Sequence, residues 1–158
     1  MIREALMTDI PRLCEILEEM HGKTAYAEAG YNIDKDRMKA VLMMAIQSHM
    51  FKPFGEYFAE VSESKGVVEG FVIGASVPVY LIGEKHQVSD LFWIATDNVN
   101  PNEPYKLIKN LVKWGEAKPD VIEVRCGATP IIQSPDGAGK MLMRLGLKPY
   151  GEFYRKDV

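Results

Sequence analysis

Two hydrophobic rhythms run along this chain, and the change from one to the other divides it. After an extended start from Met1 to Leu6, apolar residues recur three and four apart at Ile10, Leu13, Leu17 and Met20. Arg12, Glu15, Glu18 and Glu19 fall on the opposite side, which predicts an amphipathic helix. Thr8 is placed to cap it, Asp9 and Pro11 suit its first turn, and Gly22 lies just past its end. A second helix is predicted from Asp34 to His49. Its stripe is Met38, Val41, Leu42, Ala45 and Ile46, and Pro53 and Gly55 close the segment.

From Glu56 the period shortens. Tyr57 to Val61 reads as a strand and Ser62 to Gly66 as a polar turn. Val67 to Tyr80 is a long β-branched run interrupted by Gly70 and Gly74, the pattern of a bent strand with a bulge. A turn at Gly83 to Lys85 leads into a strand rich in aromatics, Val88 to Thr96, and then a polar loop from Asn98 to Pro104. Leu107, Ile108, Leu111, Val112 and Trp114 mark the next helix, with Asn102 as cap and Pro104 in the first turn. Val121 to Cys126 reads as a short buried strand. Ser134, Pro135 and Asp136 open a last helix through Met141, Leu142 and Leu145 that Gly146 ends, and Tyr150 to Lys156 reads as a terminal strand. The order is β-α-α-β-β-β-α-β-α-β, a single α/β domain over residues 1–158 with a mixed sheet between helices.

Composition narrows the function classes. The 158 residues carry 19 Lys and Arg against 22 Asp and Glu, a net charge of −3, which argues against a dedicated nucleic-acid binder. A 47% apolar and 26% charged chain has enough apolar side chain for one core. Apolar runs stay short of the roughly 18 residues of a membrane span, and the first residues lack the layout of a secretion signal. Cys14 and Cys126 form no CxxC, and the three histidines are scattered, so no metal site is expected and a reducing, cytoplasmic setting is.

The same order, with particular residues in place, resembles the GNAT superfamily of acetyl-CoA-dependent acetyltransferases across essentially the whole chain. Ile2-Arg3-Glu4-Ala5 and Asp9-Ile10-Pro11-Arg12-Leu13 are similar to the family's first strand and helix. Glu69-Gly70-Phe71-Val72-Ile73-Gly74 is similar to its third strand, and Asp90-Leu91-Phe92-Trp93-Ile94 to its fourth. Leu145-Gly146-Leu147-Lys148 with Tyr154-Arg155-Lys156 resembles its ending, and the Tyr80 to Asp90 stretch resembles a branch found in phage and bacterial genomes. The resemblance implies a mixed, mostly antiparallel sheet and an N-acyltransferase in which a substrate amine attacks the thioester directly in a ternary complex. The acceptor would be a small amine or a protein amino group, and the protein a monomer or homodimer without nucleic-acid or membrane partners. The alternative is a GNAT-like binding or structural module without catalysis, phage-encoded in one version.

Two departures stand out against that family. Its diphosphate loop, a basic residue followed by glycines at a helix N-terminus, falls here on Val99-Asn100-Pro101-Asn102-Glu103-Pro104-Tyr105. Val99 replaces the basic residue, no glycine remains, and two prolines each remove a backbone donor. The Tyr that can protonate the departing thiolate falls on Leu142, and the Asn before that helix on Pro135.

Candidate site residues follow. Asp90 is the first candidate for the base that accepts the ammonium proton, against a strand-end carboxylate facing solvent or a lysine. His86, an imidazole able to take and give a proton, is the second, against an exposed loop histidine. His21 and His49 lie at helix ends, where the dipole favours an imidazolium. Cys126 has no neighbouring histidine in sequence and reads as an inert thiol; Ser134 reads as a helix cap. Phe92 and Trp93 face opposite sides of the sheet, one in the core and the other toward the pantetheine slot. Ile94, Ala95 and Thr96 would offer backbone hydrogen bonds to acetyl-CoA, and Asn100, Asn102, Tyr105 and Lys106 would meet its phosphates, with Lys109 beyond. Tyr26 and Tyr31, around Gly30, would shape the acceptor pocket or form an aromatic surface loop. Met38, Met43, Met44 and Met50 fit helix packing or an interface. Glu15, Glu18, Glu19 and Glu28 would favour a cationic acceptor or form a solvated face.

Overall fold

The computed structural model describes residues 1–51, 55–128 and 135–157. Pro53 and Ser134, read above as a helix stop and a helix cap, lie outside the described residues. The strands β1 (Ile2–Glu4), β2 (Tyr57–Ser64), β3 (Val67–Pro78), β4 (His86–Ala95) and β5 (Val121–Arg125) form one sheet in the order β1-β2-β3-β4-β5. The first three pairings are antiparallel and β4 with β5 is parallel. The helices are α1 (Ile10–Gly22), α2 (Ala25–Glu28), α3 (Lys35–Met50), α4 (Glu103–Glu116) and α5 (Asp136–Arg144).

Alternation along β3 supplies two cores. Phe71 and Ile73 point to one face and pack with Leu13, Ile16, Leu42 and Ile46 of α1 and α3. Val72 points to the other and packs with Leu107, Ile108 and Leu111 of α4 and Leu142 of α5. Burying each such side chain contributes about 1.5–3 kcal/mol. The α3 stripe is as expected except that Val41 is only half-buried, and His49 adds to it, packed edge-on against Phe58 with ring centroids 5.1 Å apart. A Cβ on Gly74 would meet Leu111 Cδ1 at 2.3 Å, so the closeness of α4 to the sheet depends on that missing atom.

Four sequence expectations are corrected by the structure. Thr8 does not cap α1: it lies inside a 3-10 turn (Met7–Asp9), and the Asp9 carboxylate accepts from the Leu6 N–H at 2.8 Å instead. Arg3 holds that carboxylate bidentately, at 2.7 and 2.9 Å. The loop after α1 contains the short helix α2, capped by Thr24, whose hydroxyl accepts from the Ala27 N–H. The third strand stops at Pro78, because Tyr80 and Leu81 take left-handed φ of 56° and 65°. Residues 150–156 form no strand; their backbone follows an exposed, irregular path beyond α5. Among the described residues no helix is long and apolar enough to cross a membrane.

Candidate active site where two strands part

The bulge expected in β3 is present at Glu69, where Ser62 pairs Gly70 and Glu63 pairs Val68. A second lies in β4, where Ile73 pairs Phe92 and Gly74 pairs Asp90, so Leu91 is the extra residue. A bulge bends its strand and leaves one backbone group outside the ladder. Parallel pairing of β4 with β5 runs from His86 to Ser89, whose partner is Arg125, and stops there. An open cleft of about 1440 Å³ is lined by Ser89 and Asp90 at this point, by the length of β5 with Cys126 and Gly127, and by Gly139 and Met143 of α5.

Asp90 spans the parting. Its Oδ1 accepts a hydrogen bond from the Gly127 N–H at 2.9 Å, where a ladder bond would otherwise sit. Burial pushes its carboxyl above the ordinary range, opposed by the N–H groups of Gly127 and of Asp90 itself. Cys126 is its neighbour: burial first, then the Asp90 charge, push the thiol up to about 12, opposed by the Asp90 N–H. At neutral pH that thiol keeps its proton and is a poor nucleophile.

His86 is not part of this constellation. It opens β4, its Nδ1 is 3.1 Å from Ser76 Oγ and 3.7 Å from an Asp120 carboxylate oxygen, and it is half-buried. Four residues of strand put it roughly 13 Å from Asp90.

The residues expected to hold the cofactor divide into three groups. Both aromatics of β4 are half-buried and packed on cores: Phe92 on the α1 and α3 side, Trp93 on the α4 side. The Trp93 indole donates to the Pro104 carbonyl at 2.9 Å, so it anchors the first turn of α4. Thr96 is occupied: its N–H donates to the Glu69 carbonyl at 2.8 Å and its hydroxyl to the Glu69 carboxylate at 2.5 Å. Arg12 reaches the same carboxylate at 3.3 Å, which ties α1 to the end of β4. Backbone groups alternate sides along a strand, so with Thr96 turned to β3 those of Ile94 also face β3. The groups of Trp93 and Ala95 face away from β3, beyond the last β4–β5 pair. The expectation that Ile94 and Thr96 offer backbone hydrogen bonds to a ligand is therefore corrected to Trp93 and Ala95.

The third group, at the start of α4, lacks the donors a diphosphate needs. Asn100 accepts twice, its carbonyl from the Glu103 N–H at 2.8 Å and its Oδ1 from the Asn102 N–H at 3.2 Å. The Lys106 N–H donates to the Asn102 carbonyl at 3.3 Å. Asn102 takes the cap position without a side-chain capping bond. Pro101 and Pro104 carry no N–H, so Tyr105 alone keeps a free first-turn amide among the described residues. The Glu103 carboxylate is buried, bonded to the Ser62 hydroxyl and 2.7 Å from the Met1 ammonium. Burial raises its pKa, but those two partners outweigh it and hold the group below the ordinary range. The start of α4 therefore offers few of the free donors that a diphosphate at a helix N-terminus uses.

The acceptor-side candidates stand apart from these. Tyr26 lies in α2 under the Arg155 guanidinium, 5.5 Å from its ring centre, and the Tyr31 carbonyl is 2.7 Å from His21 Nε2. The acidic face of α1 is neutralised: Glu15 pairs with Arg12, Glu18 with Lys35 and Glu19 with Lys23 at 3.0 to 3.3 Å. Glu69, Leu91 and Gly127 escaped sequence reasoning; the only local signal was the lone carboxylate of Glu69 within the apolar third strand.

The architecture, a mixed five-stranded sheet flanked by helices in a single domain, is that of the GNAT acetyltransferases. The structure of AAC(6')-Iy in complex with the bisubstrate analog CoA-S-monomethyl-acetylneamine superposes with a TM-score of 0.70 at 17% identity, covering 100% of this chain and 98% of that one. A ribosomal-protein-alanine N-acetyltransferase from Brucella melitensis biovar Abortus 2308 gives 0.66 at 14%, covering 100% and 99%. A predicted acetyltransferase with acetyl-CoA from Clostridium acetobutylicum gives 0.68 at 12%, covering 99% and 95%. At these identities the likeness is one of fold. No protein-family model and no curated protein matches the sequence.

Proposed function

We propose that this protein is an N-acyltransferase that moves an acetyl group from a pantetheine thioester to a primary amine in a ternary complex. One observation carries the reading: β4 and β5 stop pairing at Ser89 and Arg125, and the Asp90 carboxylate beside that point lines the cleft along β5 and α5. An arm rich in amides needs an unpaired strand edge, and Trp93 and Ala95 supply one. In this reading a backbone N–H of that edge donates to the oxyanion of the tetrahedral intermediate.

In this reading the amine nitrogen attacks the thioester carbon, the C–N bond forms, and the C–S bond breaks with the electron pair leaving on sulfur. Asp90 accepts the ammonium proton, and its raised pKa brings it nearer to that task. Leu142 has no proton to give, so the thiolate takes one from water. The acceptor is a small-molecule amine or a protein amino group, the two kinds named for the fold neighbours. A second reading, a GNAT-like module without catalysis, is favoured by the filled first turn of α4. Calorimetric titration with acetyl-CoA and free CoA separates the two. Micromolar binding supports the enzyme, and no binding at millimolar ligand refutes it.

A further inference from the structure

The start of α4 has a consequence for which thioester the cleft accepts. A helix N-terminus binds a diphosphate through several convergent, unoccupied N–H groups and the positive end of its dipole. Here the Glu103, Asn102 and Lys106 amides are bonded within the chain and two prolines remove two more, which leaves Tyr105 with the one free first-turn amide among the described residues, next to the buried Glu103 carboxylate. The chain's own ionised carboxylate, Glu103, is buried at the first helical position. The loop before it adds the exposed Asp97 and presents Val99 in place of a cation; Lys106 and Lys109 are the nearest basic residues in sequence. The unpaired outer edge of β4 beyond Ser89 is independent of all this, since it follows from the end of β5 pairing at Arg125.

We infer that the acyl donor is read through its thioester and pantetheine arm alone, with the nucleotide diphosphate contributing little to recognition. The inference rests on the acyl-transfer reading and narrows its donor to the class of acyl-pantetheine thioesters, whether free, on a nucleotide or on a carrier protein. One charge-assisted hydrogen bond contributes about 1.5–3 kcal/mol, so a diphosphate seated on even one such donor would tighten binding more than about tenfold.

The test is calorimetric titration of the intact chain with acetyl-CoA, acetyl-pantetheine, and acetyl-phosphopantetheine attached to an acyl carrier protein. The expected result is dissociation constants for acetyl-CoA and acetyl-pantetheine that agree within about tenfold. A larger preference for acetyl-CoA overturns the inference and leaves acyl transfer standing. Binding of none of the three overturns acyl transfer itself. Tighter binding of the carrier-protein thioester than of acetyl-pantetheine identifies a protein-borne donor, and equal binding a free one; both support a donor read without its nucleotide.

Discussion

Asp90 Oδ1 accepts the Gly127 N–H at 2.9 Å across the point where β4 and β5 separate. A side chain thereby does the work of the next ladder bond, which lets the strands part without leaving that amide unsatisfied. The same carboxylate faces the cleft, so its structural and chemical roles can be separated by substitution.

Asp90→Asn keeps an oxygen that can accept from Gly127 but cannot take a proton. Acetyl transfer is expected to fall by roughly 10²–10⁴-fold if Asp90 is the base. A raised native pKa means the folded state holds the proton longer than the unfolded chain, so ionising Asp90 lowers stability as pH rises from the ordinary carboxylate range through its native value. Asn removes that loss. Thermal melts should therefore show the variant equal to or more stable than the parent at neutral pH, and the rate of the parent should rise with pH on an acid limb above the usual carboxylate range. An unchanged rate in the variant would remove Asp90 from the chemistry.

Asp9 behaves oppositely. Burial would raise its pKa, but Arg3 and the Leu6 N–H together hold it below the ordinary value. Its contribution is complete above the unfolded pKa and is lost as pH falls through the lower native one. Asp9→Asn should cost about 1.5–3 kcal/mol at neutral pH, the range for hydrogen bonds to charged groups. Its stability should also decline less steeply in acid, which denaturant unfolding at several pH values will show.

Thr96→Val preserves shape while removing the hydroxyl that donates to Glu69. Glu69 would keep Arg12 but lose its shortest bond in a buried place, at a cost of about 1–3 kcal/mol in chemical unfolding. Because Thr96 follows the last residue of β4, hydrogen exchange at Ile94 and Thr96, whose amides face β3, should accelerate more than at Val88. Uniform acceleration along the strand would contradict a local tether.

Gly74→Ala places a methyl 2.3 Å from Leu111 Cδ1 and 3.1 Å from the Ser89 carbonyl. Leu111 is fully buried, so overpacking of about 1–3 kcal/mol is expected. Gly74→Ala with Leu111→Ala should recover part of that loss relative to the sum of the two single variants, measured as a double-mutant cycle.

The local pattern of the chain already determines its helices, the positions of its strands and which residues are interior. Leu13 and Leu17, Leu42 and Ile46, and Leu107 and Leu111 recur at helical spacing because a helix buries only one face. Phe71, Val72 and Ile73 alternate because successive strand residues point to opposite faces. The resemblance to GNAT sequences likewise named Asp90 as a candidate and the α4 start as altered. Tertiary structure alone decided the rest. Leu91 is a bulge because β3 skips it, Asp90 meets Gly127 because β5 ends beside it, and Thr8 loses its capping role because Arg3 and Leu6 bring Asp9 into place. Residues 150–156 have strand-like composition, yet the structure gives them no strand partner. Register, bulges and unpaired edges depend on which distant backbone supplies each hydrogen-bond partner, and no periodicity within one segment carries that information.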